Sequence, residues 1–562
     1  MPAVVPQLHR STPLSTPATT DTVILSSSIL HGERLEETAG FIAINDGRIV
    51  AIGTTEEADQ WTPHAARVID VGNATVTPGL IDAHIHPILG ISIARGLDLN
   101  GITELSDVRH ALAEHATQTP HRTGSDWLFA WGLDPVIFGE AEFSNDLFDG
   151  ILDGELVYIT LFDGHAALVS DAGLSLAGVT GKEKLDSSGF VGTTADGKPN
   201  GMLYEMAAME LVQTKLPPLS FDERVNELDR LLRSMAEAGL VAGQMLDFGQ
   251  ADSLDVLEAL EERGDLSIRL RISPWVMPGA SQEDLDKLLA MQGRHGRRWH
   301  VRGIKLMMDG TIDNGTAWLF APDTHGESVD PLWPEPEGLS AAMRFFHDNH
   351  VPTATHAIGD KAVSHVAQTI ASLPRNGTVH RIEHIESIPD DVLNQVVDSG
   401  ATTSLQPTHC TLYSRADHTD NWSRRLGTER ANHAWRTRDL REAGAVVALG
   451  SDWPIAPFDP RGIITAAQTR RPAGRPDITP VQPQQALSAR AALEGYTSQY
   501  WQSVGEAGGI LRPGARADLT VFAQNPLDAA PDEFAAAPVI LTMVDGDLVT
   551  DKTAQMSAST PN

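Results

Sequence analysis

Along the middle of the chain one pattern repeats: apolar residues at helical spacing, then a glycine, then a short apolar run. Val225, Leu228, Leu232 and Met235 fall three or four residues apart, Gly239 sits where that helix should stop, and Leu240 to Asp247 reads as a buried strand. The unit recurs. Leu254 to Arg263 with Gly264 precedes the alternating Leu266, Ile268, Leu270 and Ile272, and Leu339, Ala342, Met343 and Phe346 precede Val351 to His356. Asp390 to Ser399 with Gly400 leads into Ala401 to Gln406, and Asp439 to Ala443 with Gly444 leads into Ala445 to Asp452. Units of this length predict an α/β fold built on a parallel sheet, closed as a (β/α)8 TIM barrel or open and doubly wound. No glycine-rich dinucleotide fingerprint follows the first strand, which favours the barrel.

The two ends read differently. Thr22 to Leu25, Phe41 to Ile44 before Asn45-Asp46-Gly47, and Arg48 to Gly53 have the alternation and turn chemistry of hairpins. Ala517 to Phe522 and Val539 to Val544 before Asp545-Gly546 repeat the style, so segments 22–78 and 501–552 are expected to form one small β domain around a barrel at 79–500. The stretch at about 101–220 breaks the strand–helix rhythm with acidic residues and Gly-rich turns, and is expected to be an insertion over the barrel mouth. Residues 1–21, rich in Ser, Thr and Pro, and 553–562 read as tails, the first disordered.

Composition narrows the partners. Hydrophobic residues make up 41% of the 562, and no apolar run approaches the ~18 residues of a membrane span, so no membrane is expected. Lys and Arg total 42 against 75 Asp and Glu, and a net charge of −33 repels a phosphate backbone, which excludes nucleic acid as a partner. No apolar secretory core opens the chain, and cytoplasm is the expected compartment. Cys410 is the sole cysteine, so internal disulfides and thiolate clusters are excluded and any metal must be held by His, carboxylate or a modified Lys.

His84 and His86, in the run Val76 to Pro87, lie two apart on an expected strand and so share a face. Imidazole is the commonest ligand of zinc-like ions, and a catalytic site draws its remaining ligands from elsewhere in the fold. Later strands, the run Val301 to Met308 with Lys305 and those carrying His356, His384 and Asp452, lead toward the end where barrel active sites lie. Any one of these is ordinarily a hydrogen-bonded polar residue or half of an ion pair. Together, each on a separate strand, they are the inventory of a hydrolytic metal centre.

On these residues the chain resembles the amidohydrolase superfamily and, within it, the YtcJ-like group of amidohydrolase family 3. The likeness rests on Thr77-Pro78-Gly79-Leu80-Ile81-Asp82-Ala83-His84-Ile85-His86, Asp163-Gly164-His165, Lys305 with Asp309-Gly310-Thr311, His356 to Asp360, Glu383-His384 and Gly450 to Pro454. Pro513 to Leu519 resembles the point where such enzymes enter their β-sandwich. The resemblance implies that His84, His86 and Asp452 hold one divalent ion, most simply zinc, and that His356 and His384 hold a second where one is present. A desolvated Lys305 amine is expected to capture carbon dioxide as an N6-carboxylated bridge between two ions, the alternative being an unmodified lysine and one ion.

The expected reaction is hydrolysis of a C–N bond in a small amide, formamide or N-acyl compound. Hydroxide formed at the metal attacks, and Asp452 serves as general base and then acid. His356, His384 or His165 is expected to help polarise the carbonyl, and His165 to face the substrate from the insertion. Asp309, Asp313, Gln406 and His409 are candidates for pocket contacts or ligand orientation. Trp131 and Trp453 are candidates for the pocket wall, and Glu383 is expected to brace the barrel. Heterocycle deamination, lyase or isomerase action on the same metal, and a catalytically inactive barrel scaffold are the rival readings. A homodimer is the family-based expectation.

Overall fold

The structure, a computed structural model, describes residues 20–554 except 103, 119–125, 139–142, 163, 186–188 and 248–251. The tail readings therefore lie outside the described residues but for two residues at each inner edge, and Asp163 lies outside them as well. Among the described residues no helix is long and apolar enough to cross a membrane.

The chain divides into two compact units. One comprises residues up to Gly79, Ile510–Asn525 and Pro538 onward; the other comprises Leu80–Gly509 and Pro526–Ala537. In the first, the strands Asp547–Asp551, Val539–Val544, Leu519–Phe522, Thr75–Pro78, Thr20–His31, Glu36–Asn45 and Arg48–Thr54 lie in that order in one sheet, with Ala65–Asp70 also paired to Thr20–His31. Ile24, Ile42, Ile49, Val76, Leu519, Leu541 and Met543 form its apolar core. Two hairpins turn on Asp46-Gly47 and Asp545-Gly546, all four residues at positive φ. The two turns also pack on each other, because a Cβ on Gly47 would sit 2.5 Å from the Asp545 carbonyl oxygen. Glycine is required there for space as well as for φ.

In the second unit nine short strands form two parallel sheets. We label them β1 (Leu80–Ile85), β2 (Leu240–Met245), β3 (Arg269–Ile272), β4 (Trp299–Val301), β5 (Ile304–Met307), β6 (Thr353–Ala357), β7 (Arg381–His384), β8 (Thr402–Leu405) and β9 (Val447–Leu449). One sheet has the order β4-β3-β2-β1 and the other β5-β6-β7-β8-β9. Isolated parallel bridges link the two sheets, Ile85 in β1 with Trp453 beyond β9 and Trp275 beyond β3 with Lys305 in β5. Nearly every residue of these strands is buried, as expected for parallel strands covered on both faces.

The helices follow the periodic pattern. Phe221–Glu237 opens on a Ser220/Glu223 capping box, buries Val225, Leu228, Leu232 and Met235, and is followed by Gly239 at φ 101°. Asp390–Ser399 ends on Gly400 in the left-handed conformation. One expected strand is corrected: Val301 to Met308 is not continuous. It breaks at Arg302-Gly303, where Gly303 has φ 114°, into β4 and β5, which belong to different sheets.

Residues 97–204 carry a six-stranded sheet of their own, in the order Phe190–Thr193, Pro199–Tyr204, Ala166–Val169, Val157–Leu161, Leu128–Leu133, Leu97–Asp98. Alternate residues serve two apolar clusters, Ile159, Leu168 and Met202 in one, Tyr158, Ala167 and Leu203 in the other, so both faces are covered.

Candidate metal centre

The C-terminal ends of β1, β5, β6 and β7, with the turn after β9, bring one set of side chains together. In β1 the alternation places Asp82, His84 and His86 on one face, and each makes a different contact. The Nε2 atoms of His84 and His86 lie 3.2 Å apart. Asp452 Oδ1 is 3.2 Å from the first and 3.1 Å from the second. Lys305 Nζ is 3.3 Å from His84 Nε2. On the far side His384 Nδ1 lies 4.0 Å from Asp452 Oδ2, and its ring centroid is 4.4 Å from that of His356. His356 Nε2 lies 3.1 Å from the Gly310 carbonyl oxygen. All six side chains are buried.

This set fits a divalent cation on chemical grounds. His84, His384 and Asp452 offer ligand atoms within 4.8 Å of one another. His384 Nδ1 is buried and without a hydrogen-bond partner, and a buried polar atom left unpaired costs ~1–3 kcal/mol. Two imidazole nitrogens and a carboxylate oxygen facing one point are relieved by a cation between them.

Burial pushes the His84 and His384 imidazolium forms well below the ordinary histidine range, with the neighbouring cationic groups adding to it. Burial, then the charge of Lys305, takes His356 to about 3. Neutral imidazoles are the metal-binding form. Burial brings the Lys305 amine down to about 8, against the opposing pull of Glu383 and Asp452. Burial alone would raise Asp452, but the hydrogen bond and charge of His86, with His409 and Lys305, hold it below the usual carboxylate range.

A surrounding layer fixes these groups. His84 Nδ1 donates to Glu383 Oε2 at 2.8 Å, and Arg381 donates to Glu383 Oε1 at 2.5 Å and to the Ala83 carbonyl oxygen at 2.8 Å. Asp82 Oδ1 accepts the backbone N–H groups of His84 and Ser451 at 3.1 and 2.9 Å, tying β1 to the turn that presents Asp452. Asp309 accepts from the N–H groups of Trp318, Ile358 and Gly359 at 2.8 to 3.0 Å and so clamps the loop after His356. Burial pushes both the Asp82 and Asp309 carboxyls up to about 7. His384 and Asp452 themselves hold φ of 74° and 61°, unfavourable for residues with a side chain, and such strain persists where surrounding bonds over-determine it. The Asp452 N–H donates to the His84 carbonyl oxygen at 2.8 Å.

Above the cluster opens a cavity of about 880 Å³, lined by His86, Lys305, His356, His384 and Asp452. His165 lines it too. Its Nδ1 contacts Glu205 Oε2 at 3.0 Å and its carbonyl oxygen accepts the Glu205 N–H at 2.7 Å. Asp309, Asp313 and His409 also line the cavity, whereas Gln406 is fully buried outside the lining.

The two tryptophan expectations are corrected: neither Trp131 nor Trp453 is among the lining residues. The Trp453 ring is packed directly over Gly90, in the space a Cβ there would need. Trp275, Trp422 and Trp435 line it instead.

Several partners were not singled out from sequence. Asp82 had a usable signal, being two residues before His84 on the same face. Glu205 and Glu386 had none, since their partners His165 and Trp422 are distant in the chain.

The chain is similar to known proteins over most of its length. A family model described as "Amidohydrolase family" matches residues 67–550. The putative amidohydrolase YtcJ of Bacillus subtilis is 24% identical over 93% of this chain and 97% of its own. An N-substituted formamide deformylase of Arthrobacter pascens is 23% identical over 95% of this chain and 99% of its own. Among solved structures, an uncharacterized metal-dependent hydrolase from Pyrococcus horikoshii superposes with a TM-score of 0.70 at 23% identity, covering 91% of this chain and 99% of that one.

Proposed function

The chain belongs to the amidohydrolase family, hydrolases of carbon–nitrogen bonds, and from that premise we propose that it hydrolyses the amide, formamide or N-acyl bond of a small molecule at a divalent metal centre beside Asp452. The observation that carries this reading is the approach of His84 Nε2, His86 Nε2 and Asp452 Oδ1 within 3.1–3.2 Å of one another, buried beneath an open cavity. We read the two parallel sheets, bridged at Ile85–Trp453 and Trp275–Lys305, as one closed (β/α)8 barrel with β4 and β5 as a single interrupted strand.

In this reading His84, His86 and Asp452 would hold one ion and His356 and His384 a second, with Lys305, N6-carboxylated, as a further ligand. Zinc suits such a nitrogen- and oxygen-rich set. When bound, the metal supplies a Lewis acid for the carbonyl oxygen and a water that is acidic near neutral pH. Asp452, kept anionic by its histidine neighbours, takes up the proton of the attacking water on a carboxylate oxygen and returns it to the leaving nitrogen. His165, held by Glu205 at the cavity wall, orients the substrate's polar group.

The test is a screen of amides and N-formyl compounds on metal-loaded protein with product analysis. Release of carboxylate and amine supports the proposal. Release of ammonia from a heterocycle would replace it with deamination.

A further inference from the structure

Much of the wall of the cavity over the metal centre is apolar. Leu89, Ile93, Phe162, Met206, Met277 and Ile455 supply apolar surface. Met206 and Met277 stand 50% and 52% exposed, unusual for methionine, and both face this cavity. They come from different elements: Met206 from the first turn of the helix Glu205–Gln213, Met277 from the loop after β3. Flexible thioether side chains of this kind re-pack around apolar groups of varied shape. At about 880 Å³ the space exceeds what a bare small amide fills and admits a ring-bearing substituent.

The charge of the walls points the same way. Glu210 and Asp330 line the cavity exposed, Asp313 half-buried and Glu386 buried. Among the described lining residues Lys305 is the one lysine and there is no arginine. Lys305 lies in the buried cluster, 3.3 Å from His84 Nε2, so it does not serve a group bound farther out. A substrate carboxylate or phosphate held farther out along these walls, beyond the metal centre, would meet acid and thioether with no lysine or arginine to pair it.

We infer that the substrate is an amide with a bulky apolar substituent and no carboxylate or phosphate: an N-arylalkyl amide or formamide, not an N-acylated amino acid. This inference rests on the hydrolase reading above. In the reaction the oxygen of water bonds to the acyl carbon, the C–N bond breaks, and one water proton ends on the leaving nitrogen, giving a carboxylic acid and an apolar amine.

N-formyl-2-phenylethylamine and N-formylphenylalanine differ by a single carboxylate and provide the test. Their kcat/KM values on the metal-loaded full-length enzyme are compared, and the binding of both to metal-loaded Asp452→Asn protein is measured by calorimetry. The uncharged compound is expected to lead by about tenfold or more in kcat/KM and to bind more tightly, and Glu210→Lys is expected to narrow the gap. Equal or better turnover or binding of the carboxylated compound overturns the inference, as does binding of neither. If neither is hydrolysed the hydrolase reading fails on its own, and the order of binding still decides the charge preference.

Discussion

His84 Nδ1 donates to Glu383 Oε2 across 2.8 Å, with both side chains fully buried. That bond places the ring proton on Nδ1 and leaves the Nε2 lone pair facing His86 and Asp452, the arrangement a metal-ligating histidine requires. Glu383→Gln should therefore bind metal ~10–100-fold more weakly, and fold less stably because buried Arg381 loses its carboxylate partner. Titration of metal-free protein with zinc, beside denaturant unfolding followed by far-ultraviolet circular dichroism, checks both. Unchanged affinity would show that the ring is oriented by something else.

Asp452 sits between the His84–His86 pair and His384. Asp452→Asn keeps an oxygen at the ligand position but removes the carboxylate that accepts a proton. Retained metal with turnover reduced by ~10²–10⁴-fold is the expected outcome. Elemental analysis and single-turnover kinetics on the same preparation measure it, and wild-type rates in the variant would remove Asp452 from the chemistry.

Lys305 gives a pH dependence of definite sign. Only the neutral amine captures carbon dioxide, and burial sets its midpoint at about 8 in place of the ordinary 10.5. The neutral fraction rises as pH climbs through 8, so carboxylation and occupancy of the second ion should increase between pH 7 and pH 9 in bicarbonate buffer. Intact-protein mass spectrometry with metal analysis across that range tests the claim. A metal content and mass that do not vary with pH and carbon dioxide would argue for an unmodified lysine.

Stability of the sheet shared by the two chain ends is tested away from the site. Gly47→Ala puts a Cβ 2.5 Å from the Asp545 carbonyl oxygen and forces a side chain onto a φ of 69°. A loss of ~1–3 kcal/mol follows from strain of this kind, with metal affinity unaltered. Denaturant unfolding and zinc titration of one sample separate the two effects.

How much of this could be read from sequence differs by residue. His84 and His86 were legible because strand alternation puts them on one face, and the helix stop at Gly239 and the Asp-Gly hairpin turns were legible because each follows a local rule of φ or spacing. The break at Arg302-Gly303 was not, since an apolar run hides a change of sheet that only tertiary pairing reveals. Glu383 shows the same limit. Alternation turns it off the face of His384, but its partner lies 299 residues earlier, and no local pattern carries a contact of that span. Trp453 was misjudged because an aromatic beside a site residue suggests a wall, whereas the missing Cβ of Gly90 had already given the ring its seat.

The central claim is that this buried cluster is a metal centre that performs hydrolysis. Its most direct test is elemental analysis joined to amide turnover before and after chelation. Bound divalent metal, loss of hydrolysis when the metal is stripped, and recovery on adding zinc or manganese are expected. Undiminished hydrolysis by metal-free protein would contradict it.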